Sequence, residues 1–410
     1  MKYCKIFPVL LCILSLLGCM KNKSSDLLTG KWRAVLSTSG GDLPFFFEIN
    51  KNKEKLTAQL LNGYEKVNVN DITIKNDSIT LYLPAFNSTI KAKFDDSSML
   101  GNLTLIKAGG VKQIIPFIAQ RNQDHKFFKE SKSLINITGR WEVEFVDEDG
   151  SSYPAVGEFI QKGSKLNGTF LTTTGDYRYL DGQVSDSVLY LSTFDGAHAF
   201  LFKAVLDNNG KLDGGFWSGL TYHEKWTALR NEKAKLPDPD SLTFLKEGYH
   251  RLDFKFPDLN GDTISLSDDK YKDKVVIVTL AGSWCPNCHD EARFLSPFFD
   301  RYHYKGLEII GLMYENYNEP EKAIDQIRKF RDKFNIQYDL LYAGINNKDF
   351  AGRTIPQLNK VLAFPTTIFI DRKGRVRRIN TGFSGPGTGE HYGKLTEDLT
   401  RFVEKLLNEK

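Results

Sequence analysis

The chain has 410 residues, of which 26% are charged and 41% hydrophobic, and its formal net charge is +4 at pH 7. This length predicts about two or three domains. Without residues 1–18, which carry two lysines and no acids, the charge falls to +2. A near-neutral chain has no electrostatic basis for binding nucleic acid, so we expect no nucleic-acid partner.

The N-terminus has the pattern of an export signal. Lys2 and Lys5 precede an apolar run at positions 6–17. This run is too short to span a bilayer, which takes about 20 apolar residues in a helix, but it suits the apolar segment of a secretory signal. We therefore interpret residues 1–18 as a signal peptide and residues 19–29 as a tether.

Signal cleavage would leave Cys19 at the start of the mature chain. The sequence Leu16-Leu17-Gly18-Cys19 resembles the lipobox of bacterial lipoproteins, in which the cysteine carries lipid and becomes the N-terminal residue. The resemblance implies a lipid anchor at Cys19, because more than one acyl chain gives stable attachment. It also implies a location on the periplasmic side of a bacterial membrane. A general signal peptide with a chance cysteine is the alternative.

Residues 30–122 and 139–231 resemble two copies of one unit. Three short matches at the start, middle and end all share an offset of 109 residues, which favours an internal duplication over chance. Short alternating runs separated by turn residues predict antiparallel β structure. The matches pair Gly30-Lys31-Trp32 with Gly139-Arg140-Trp141, Asp77-Ser78-Ile79 with Asp186-Ser187-Val188, and 119–122 with 228–231. Strands in the first copy are predicted at 31–37, 45–50, 67–74, 79–83 and 89–94.

About eight strand-like runs per copy fit a small up-and-down barrel or a sandwich. A Gly-x-Trp on the first strand and an Arg on the last resemble the calycin (lipocalin-like) signature, in which the Arg packs over the Trp. The matching residues are Trp32 with Arg121, and Trp141 with Arg230. We expect these tryptophans to anchor the core, because small barrels are filled by their own side chains. A ligand cavity is the alternative.

Residues 232–249 are polar, include Pro237 and Pro239, and are predicted to form a semi-rigid linker. Residues 250–410 then alternate buried strands with helices, which indicates an α/β domain around a central sheet. Strands are predicted at 275–280, 307–312, 338–342, 366–370 and 375–380, and helices at 286–302, at 320–334 and from 391 or 392 to 407.

Cys285 and Cys288 are the cysteines that remain outside the signal, since the other three lie in it or at its end. A Cys-x-x-Cys pair in an exported chain is a redox site, a metal clip or, because His289 follows, a c-type haem attachment site. At the start of a helix, unpaired N–H groups and the helix dipole would stabilise a Cys285 thiolate, so Cys285 is the expected nucleophile. Cys288 is placed to attack the resulting mixed disulfide.

A buried strand leading into Trp284-Cys285-Pro286-Asn287-Cys288, followed far downstream by Phe364-Pro365-Thr366-Thr367, resembles the thioredoxin fold. The nearest resemblance is to the TlpA/ResA-like group of extracytoplasmic thiol-disulfide oxidoreductases, and it covers residues 250–410. The stretch 254–261 is similar to the N-terminal hairpin of this group. The resemblance implies that Pro365 is cis and faces the thiols, and that Glu291 matches a functional glutamate.

Glu291 lies three residues after Cys288, so the two share a helix face and Glu291 is predicted to handle the proton of that thiol. A solvated helix carboxylate is the alternative. Phe364, Pro365 and Thr366 are expected to bind an extended substrate through backbone groups. We expect Trp284 to form a wall of the site.

Two positions depart from the family pattern. Thr279 stands where an Asp or Asn is common, so no buried carboxylate is expected from that strand. Arg293 replaces a Pro that commonly follows the functional glutamate, and Pro297 comes later. Both positions leave the redox potential, and therefore the direction of electron flow, open.

The other interpretations of the cysteine pair fit less well. Haem attachment explains neither the apolar strand before Trp284 nor Phe364-Pro365-Thr366, and His289 is expected on the helix surface. Zinc requires a second ligand pair, so no metal site is predicted. A peroxiredoxin would have Thr or Ser at the position of Gly282.

The sequence therefore predicts a multidomain protein with two tandem all-β repeats followed by a thioredoxin fold. We expect a protein-disulfide oxidoreductase that reduces or isomerises disulfides of exported proteins. It would need no cofactor beyond a Cys285–Cys288 disulfide. Family analogy implies a membrane electron donor of the DsbD/CcdA type. The alternative is a lipoprotein that binds a ligand or partner through the β repeats, with the thioredoxin domain secondary.

Overall fold

The computed structural model describes residues 28–53, 55–83 and 86–409. The predicted signal peptide at 1–18 and the predicted lipidation site Cys19 lie outside these residues. No helix in the described part of the chain is both long enough and apolar enough to cross a membrane.

The first β repeat is a nine-stranded antiparallel meander. Its strand order is β4-β3-β2-β1-β9-β8-β7-β6-β5, so the first and last strands pair and the ends of the sheet fall at β4 and β5. The segment 67–74, predicted as one strand, belongs to two strands, because Asn70 lies outside the strand structure and separates β4 from β5. The strands are β1 (Gly30–Thr38), β2 (Gly41–Asn52), β3 (Lys55–Asn62), β4 (Glu65–Val69), β5 (Asp71–Lys75), β6 (Ser78–Leu83), β7 (Ser88–Phe94), β8 (Ser98–Ile106) and β9 (Lys112–Arg121).

The second β repeat closes on itself. β12 pairs with β14 on one side and with β11 on the other, so eight strands form a hydrogen-bonded ring and the short β13 lies beside it. Closure removes the exposed sheet edges that invite aggregation. The strands are β10 (Gly139–Asp147), β11 (Ser152–Lys162), β12 (Lys165–Thr172), β13 (Gly175–Asp176), β14 (Leu180–Ser185), β15 (Val188–Phe194), β16 (Ala199–Leu206), β17 (Lys211–Ser218) and β18 (Tyr222–Arg230).

The two repeats hold their first strands in the same way. Trp32 is fully buried, and its indole N–H donates to the Leu28 carbonyl at 2.9 Å. The Arg121 guanidinium lies 5.3 Å from the Trp32 ring. Trp141 donates to Ile137 at 2.9 Å and lies 4.7 Å from the guanidinium of Arg230. Both tryptophans therefore anchor the core of an all-β, barrel-like sheet.

The repeats also pack against each other. The ring of Phe194, from the end of β15, enters the core of the first repeat and lies 4.7 Å from the ring of Phe45. The side chain of Asn62 pairs with the backbone of Phe194 through two hydrogen bonds. Lys126, between the repeats, is buried and donates to the Ser192 carbonyl at 3.1 Å. The two repeats therefore form one packed unit.

The segment 232–249, predicted as a linker, lies along the C-terminal domain. The backbone N–H of Lys246 donates to the Gln357 carbonyl at 2.8 Å, and Asp240 forms an ion pair with Arg378 at 2.7 Å. Thr243 is fully buried. These contacts hold the segment against the C-terminal domain. The polar composition of the segment did not indicate this packing.

The C-terminal domain has a five-stranded mixed sheet in the order β23-β22-β21-β24-β25. β21 is parallel to β22 and antiparallel to β24, and every residue of β21 is buried because helices cover the sheet. The sequence missed α3. The elements are β19 (Lys255–Pro257), β20 (Thr263–Ser265), β21 (Val275–Ala281), α1 (Pro286–Tyr302), β22 (Leu307–Glu315), α2 (Pro320–Phe334), β23 (Asp339–Ile345), α3 (Lys348–Thr354), β24 (Thr366–Ile370), β25 (Val376–Thr381) and α4 (Glu390–Asn408).

Candidate functional site

The two cysteines lie where β21 leads into α1. Cys285 is the N-cap of the helix, and Pro286 occupies the first helical position, where its missing N–H removes no helical hydrogen bond. The backbone N–H of Cys288 donates to Sγ of Cys285 at 3.3 Å. The Cys285 thiol lies 3.3 Å from the carbonyl oxygen of Phe364. An N–H of the first helical turn, which has no carbonyl partner within the helix, thus points at the Cys285 sulfur. This arrangement stabilises a thiolate.

Cys288 lies deeper than Cys285. Both are free thiols. The exposed fraction is 1% for Cys288 and 5% for Cys285. Burial raises the pKa of the Cys288 thiol well above its ordinary value, and its contact with Cys285 and the charge of Glu291 act in the same direction. Cys288 therefore needs a base before it can attack a disulfide.

Glu291 is buried, with 3% of its surface exposed, so the alternative of a solvated helix carboxylate is wrong. Thr279 on β21 donates to its carboxylate at 2.6 Å, and Thr367 on β24 donates to its other oxygen. Burial raises the pKa of Glu291 to about 7, although both hydroxyl donors favour the charged form. A carboxyl group that titrates near neutral pH, one turn beyond Cys288, has the properties of a proton carrier.

The expected substrate wall is assembled around the cis peptide bond between Phe364 and Pro365. The Trp284 indole donates to the Tyr314 carbonyl at 2.8 Å, and its ring meets Phe364 edge-on at 5.9 Å. Thr366 is fully buried, and its hydroxyl donates to the Ala363 carbonyl. With no exposed surface, Thr366 is not placed to contact a substrate in this structure, contrary to the expectation from the sequence.

The sequence predicted that His289 lies on the helix surface, and this prediction is wrong. Its exposed fraction is 2%, because Phe86 of the first β repeat stacks on its ring at 4.2 Å. Nε2 lies 2.6 Å from the Ser283 carbonyl, and Nδ1 lies 3.3 Å from Nζ of Lys333. Burial and the Lys333 charge hold the pKa of His289 well below its ordinary value. With both ring nitrogens engaged, His289 does not fit the role of a haem ligand.

Sequence reasoning missed Glu315, at the end of β22. Its carboxylate accepts hydrogen bonds from the Ser283 N–H at 2.9 Å and from the Ser283 hydroxyl at 2.6 Å. Because His289 binds the carbonyl of the same residue, all polar groups of Ser283 are held two residues before Cys285. Burial raises the pKa of Glu315 to about 7. A lone Glu at a strand end gives no sequence signal for this role.

The second β repeat also contacts the site. The Asn287 side chain, between the two cysteines, donates to the Asp176 carboxylate at 3.2 Å and to the Phe383 carbonyl at 3.1 Å. Arg178 forms an ion pair with Asp290 on α1. Arg293, which is half-exposed, binds the other oxygen of Asp290 at 2.6 Å. No group of three or more metal-ligating side chains occurs within the ranges described above.

Comparison with known proteins identifies relatives of this domain, and several of them are named thiol-disulfide oxidoreductases. A family model described as AhpC/TSA family matches residues 248–379. The thiol-disulfide oxidoreductase ResA of Geobacillus kaustophilus (strain HTA426) is 30% identical over 154 residues, which cover 38% of this chain and 74% of that protein. Thioredoxin-like protein YneN of Bacillus subtilis (strain 168) is 27% identical over 140 residues, covering 34% and 73% respectively.

A solved structure of a secreted thiol-disulfide isomerase from Corynebacterium glutamicum is also similar. It is 19% identical, with a TM-score of 0.32, and the match covers 43% of this chain and 99% of that one. The relatives thus match the C-terminal thioredoxin-fold domain. The chain belongs to the ResA-like family of thiol-disulfide oxidoreductases, and it is an enzyme of that class.

Proposed function

We propose that this enzyme reduces or isomerises disulfides of exported proteins through Cys285 and Cys288. The observation that carries the proposal is the order of groups along α1. The Cys285 sulfur accepts the N–H of Cys288 at the helix start, and the buried Glu291 follows one turn beyond Cys288. Nucleophile, resolving thiol and proton carrier are thus arranged in sequence along one helix.

The first step is attack of the Cys285 thiolate on one sulfur of a substrate disulfide. The substrate S–S bond breaks, a Cys285–substrate disulfide forms, and the leaving thiolate takes a proton. Glu291 then accepts the proton of Cys288, whose raised pKa otherwise keeps it neutral. The Cys288 thiolate attacks the Cys285 sulfur, the Cys285–substrate S–S bond breaks, and the second substrate sulfur leaves as a thiolate that takes the proton from Glu291. A Cys285–Cys288 disulfide remains, and Glu291 is ionised again. No cofactor takes part beyond this disulfide.

We propose that substrates bind as extended peptides beside Phe364 and Pro365. The Phe364 carbonyl lies 3.3 Å from the Cys285 sulfur, so a peptide hydrogen-bonded to this backbone would bring its disulfide to the nucleophile. Trp284, whose ring meets that of Phe364 edge-on, would form an adjoining wall of the same site. Specificity for exported proteins rests on the location of the enzyme.

That location is proposed from residues outside the described ranges. An export signal at 1–18 and lipidation of Cys19 would place the enzyme on the periplasmic side of a bacterial membrane. A membrane donor of the DsbD/CcdA type would supply two electrons to the Cys285–Cys288 disulfide in each cycle. Cys19→Ala should abolish incorporation of labelled palmitate into the protein; unchanged incorporation would contradict the lipid anchor.

We also propose that the β repeats arose by duplication and have a calycin-like fold, because the contacts of Trp32 and Trp141 recur at the 109-residue offset. A lipoprotein whose main role is to bind a ligand through these repeats is the alternative. It is not favoured, since the similar proteins are thiol-disulfide oxidoreductases.

Cysteine variants test the proposed chemistry. Cys285→Ser should abolish reduction of an insulin disulfide, whereas Cys288→Ser should accumulate a mixed disulfide detectable by mass spectrometry. Undiminished turnover by Cys285→Ser would overturn the proposal. The equilibrium potential of the wild-type pair tests the direction, because a value near about −270 mV fits a reductase and one near about −120 mV an oxidant.

A further inference from the structure

Arg178 of the second β repeat joins all three parts of the molecule. Its side chain is 5% exposed and forms ion pairs with Glu65 of the first repeat, Asp195 of the second and Asp290 on α1. One guanidinium N–H also donates to the Pro286 carbonyl at 3.1 Å. A planar guanidinium carries five N–H donors in a rigid fork, whereas an ammonium has three donors around a compact point charge, so Arg178 is better suited to this set of acceptors than a lysine would be.

A second contact from the same repeat reaches the residue between the cysteines. The Asp176 carboxylate accepts hydrogen bonds from Asn287 at 3.2 Å and from the Gly385 N–H at 2.7 Å. Gly175 packs so closely that an added Cβ would lie 2.7 Å from the Asn287 side-chain nitrogen. The β12–β13 turn is therefore fitted to this face of α1.

Both contacts put charge beside the first turn of α1. A cation near a helix N-terminus favours a thiolate there, and an anion disfavours it. Arg178 contacts the carbonyl of the residue after Cys285, and Asp176 holds the next side chain along. Burial weakens screening of these charges by water. Burial and the neighbouring Asp290 raise the pKa of Asp176 to about 6, so it is ionised at about pH 8.

We propose that Arg178 and Asp176 are positioning residues of the redox site, through which the β repeats set the reactivity of Cys285. The proposal rests on the proposed function, because it assigns the repeats a role in that same chemistry. Neither residue touches the substrate; both act through Pro286 and Asn287. The repeats are then a working part of the enzyme, and the redox domain alone lacks two of its buried charges.

The test uses the full chain at about pH 8 and measures two quantities. These are the rate at which iodoacetamide alkylates Cys285 and the equilibrium constant of the Cys285–Cys288 pair with glutathione. Arg178→Gln should slow alkylation about tenfold and favour the disulfide about tenfold, which equals about 30 mV. Asp176→Asn, which removes an anion, should shift both quantities in the opposite direction. Arg178→Lys, which keeps the charge, should lie between Arg178→Gln and the wild type.

Lys126→Gln is the matched control, because it removes a buried cation of the β repeats that contacts Asp181 and Ser192 but not α1. It should leave both quantities unchanged. If Arg178→Gln does not fold, Asp176→Asn decides. Shifts of the same sign in Arg178→Gln and Asp176→Asn, or no shift in folded variants, would overturn the proposal. Absence of disulfide exchange in the wild type would instead overturn the proposed function.

Discussion

The Thr279 hydroxyl donates a 2.6 Å hydrogen bond to the Glu291 carboxylate, and this bond ties the central strand β21 to the helix that carries the cysteines. The sequence indicated that Thr279 stands where the family commonly has Asp or Asn, so that no buried carboxylate was expected from this strand. In the structure the carboxylate of Glu291 on α1 lies beside Thr279, and the Thr279 hydroxyl orients this carboxylate. The buried carboxylate at this position, which we propose as the proton carrier, therefore belongs to Glu291.

Glu291→Gln should slow resolution of the mixed disulfide roughly tenfold to hundredfold, because an amide cannot accept the proton of Cys288. In the wild type the resolution rate should rise through about pH 7 as Glu291 ionises. This rise should disappear in Glu291→Gln. Rapid-quench measurement of substrate release across pH checks both effects. The exposed Glu397 on α4 provides a control, and a Glu291→Gln profile identical to that of Glu397→Gln would contradict the role.

Thr279→Val removes one of the two hydroxyl donors to the Glu291 carboxylate. A hydrogen bond to the charged form lowers the pKa of an acid, so its loss should raise the pKa of Glu291 further. The midpoint of the resolution profile should therefore move upward by about one pH unit, which is about 1.4 kcal/mol. Thr381→Val is the control, since that hydroxyl pairs with Thr243 instead. An unmoved midpoint in Thr279→Val would show that this hydrogen bond does not tune Glu291.

The two buried glutamates should make stability depend on pH. Burial raises the pKa of both Glu291 and Glu315 to about 7, above the roughly 4.3 of an unfolded chain. The folded state then binds more protons than the unfolded state between about pH 4 and 7, so the free energy of unfolding falls as pH rises through that range. Each group should contribute about 2–3 kcal/mol to this fall at order of magnitude.

Urea unfolding of the reduced protein at about pH 5 and pH 8 measures this fall. Glu315→Gln should make the fall smaller by about 2–3 kcal/mol, because an amide does not titrate. The same variant keeps an acceptor for Ser283, so its loss of stability at low pH should be small. An unchanged difference between the two pH values would show that Glu315 does not titrate in this range.

Local pattern predicted most of the thioredoxin fold. The helices at 286–302 and 320–334 and the strand at 366–370 have the predicted bounds, because the residue pattern of each segment, and the Pro at the start of each helix, are encoded locally. The sequence could not predict the surroundings of α1. His289 was expected in solvent, yet Phe86 covers it, and Asn287 meets Asp176 from another domain. Contacts between domains leave no local pattern, since the partners are far apart in the chain.

The fully buried Trp32 should be a main support of the first β repeat. Trp32→Ala removes a ring that stacks near Phe47 at 6.2 Å and lies under Arg121, and it leaves the Leu28 carbonyl without its indole donor. We expect the free energy of unfolding to fall by about 3–5 kcal/mol. Trp141→Ala should cost a similar amount in the second repeat, because it removes the equivalent contacts.

Trp217→Ala is the matched control, because Trp217 is only partly buried at the margin of the same core and its removal should cost clearly less. Urea unfolding followed by far-UV circular dichroism compares the three variants. Arg121→Ala should lower the free energy of unfolding by about 1 kcal/mol if the cation–π contact of Arg121 with the Trp32 ring stabilises the repeat. In a double-mutant cycle that cost should vanish in the Trp32→Ala background. Equal losses in both backgrounds would mean that Arg121 stabilises the repeat through its hydrogen bond to the Thr29 carbonyl rather than through the ring.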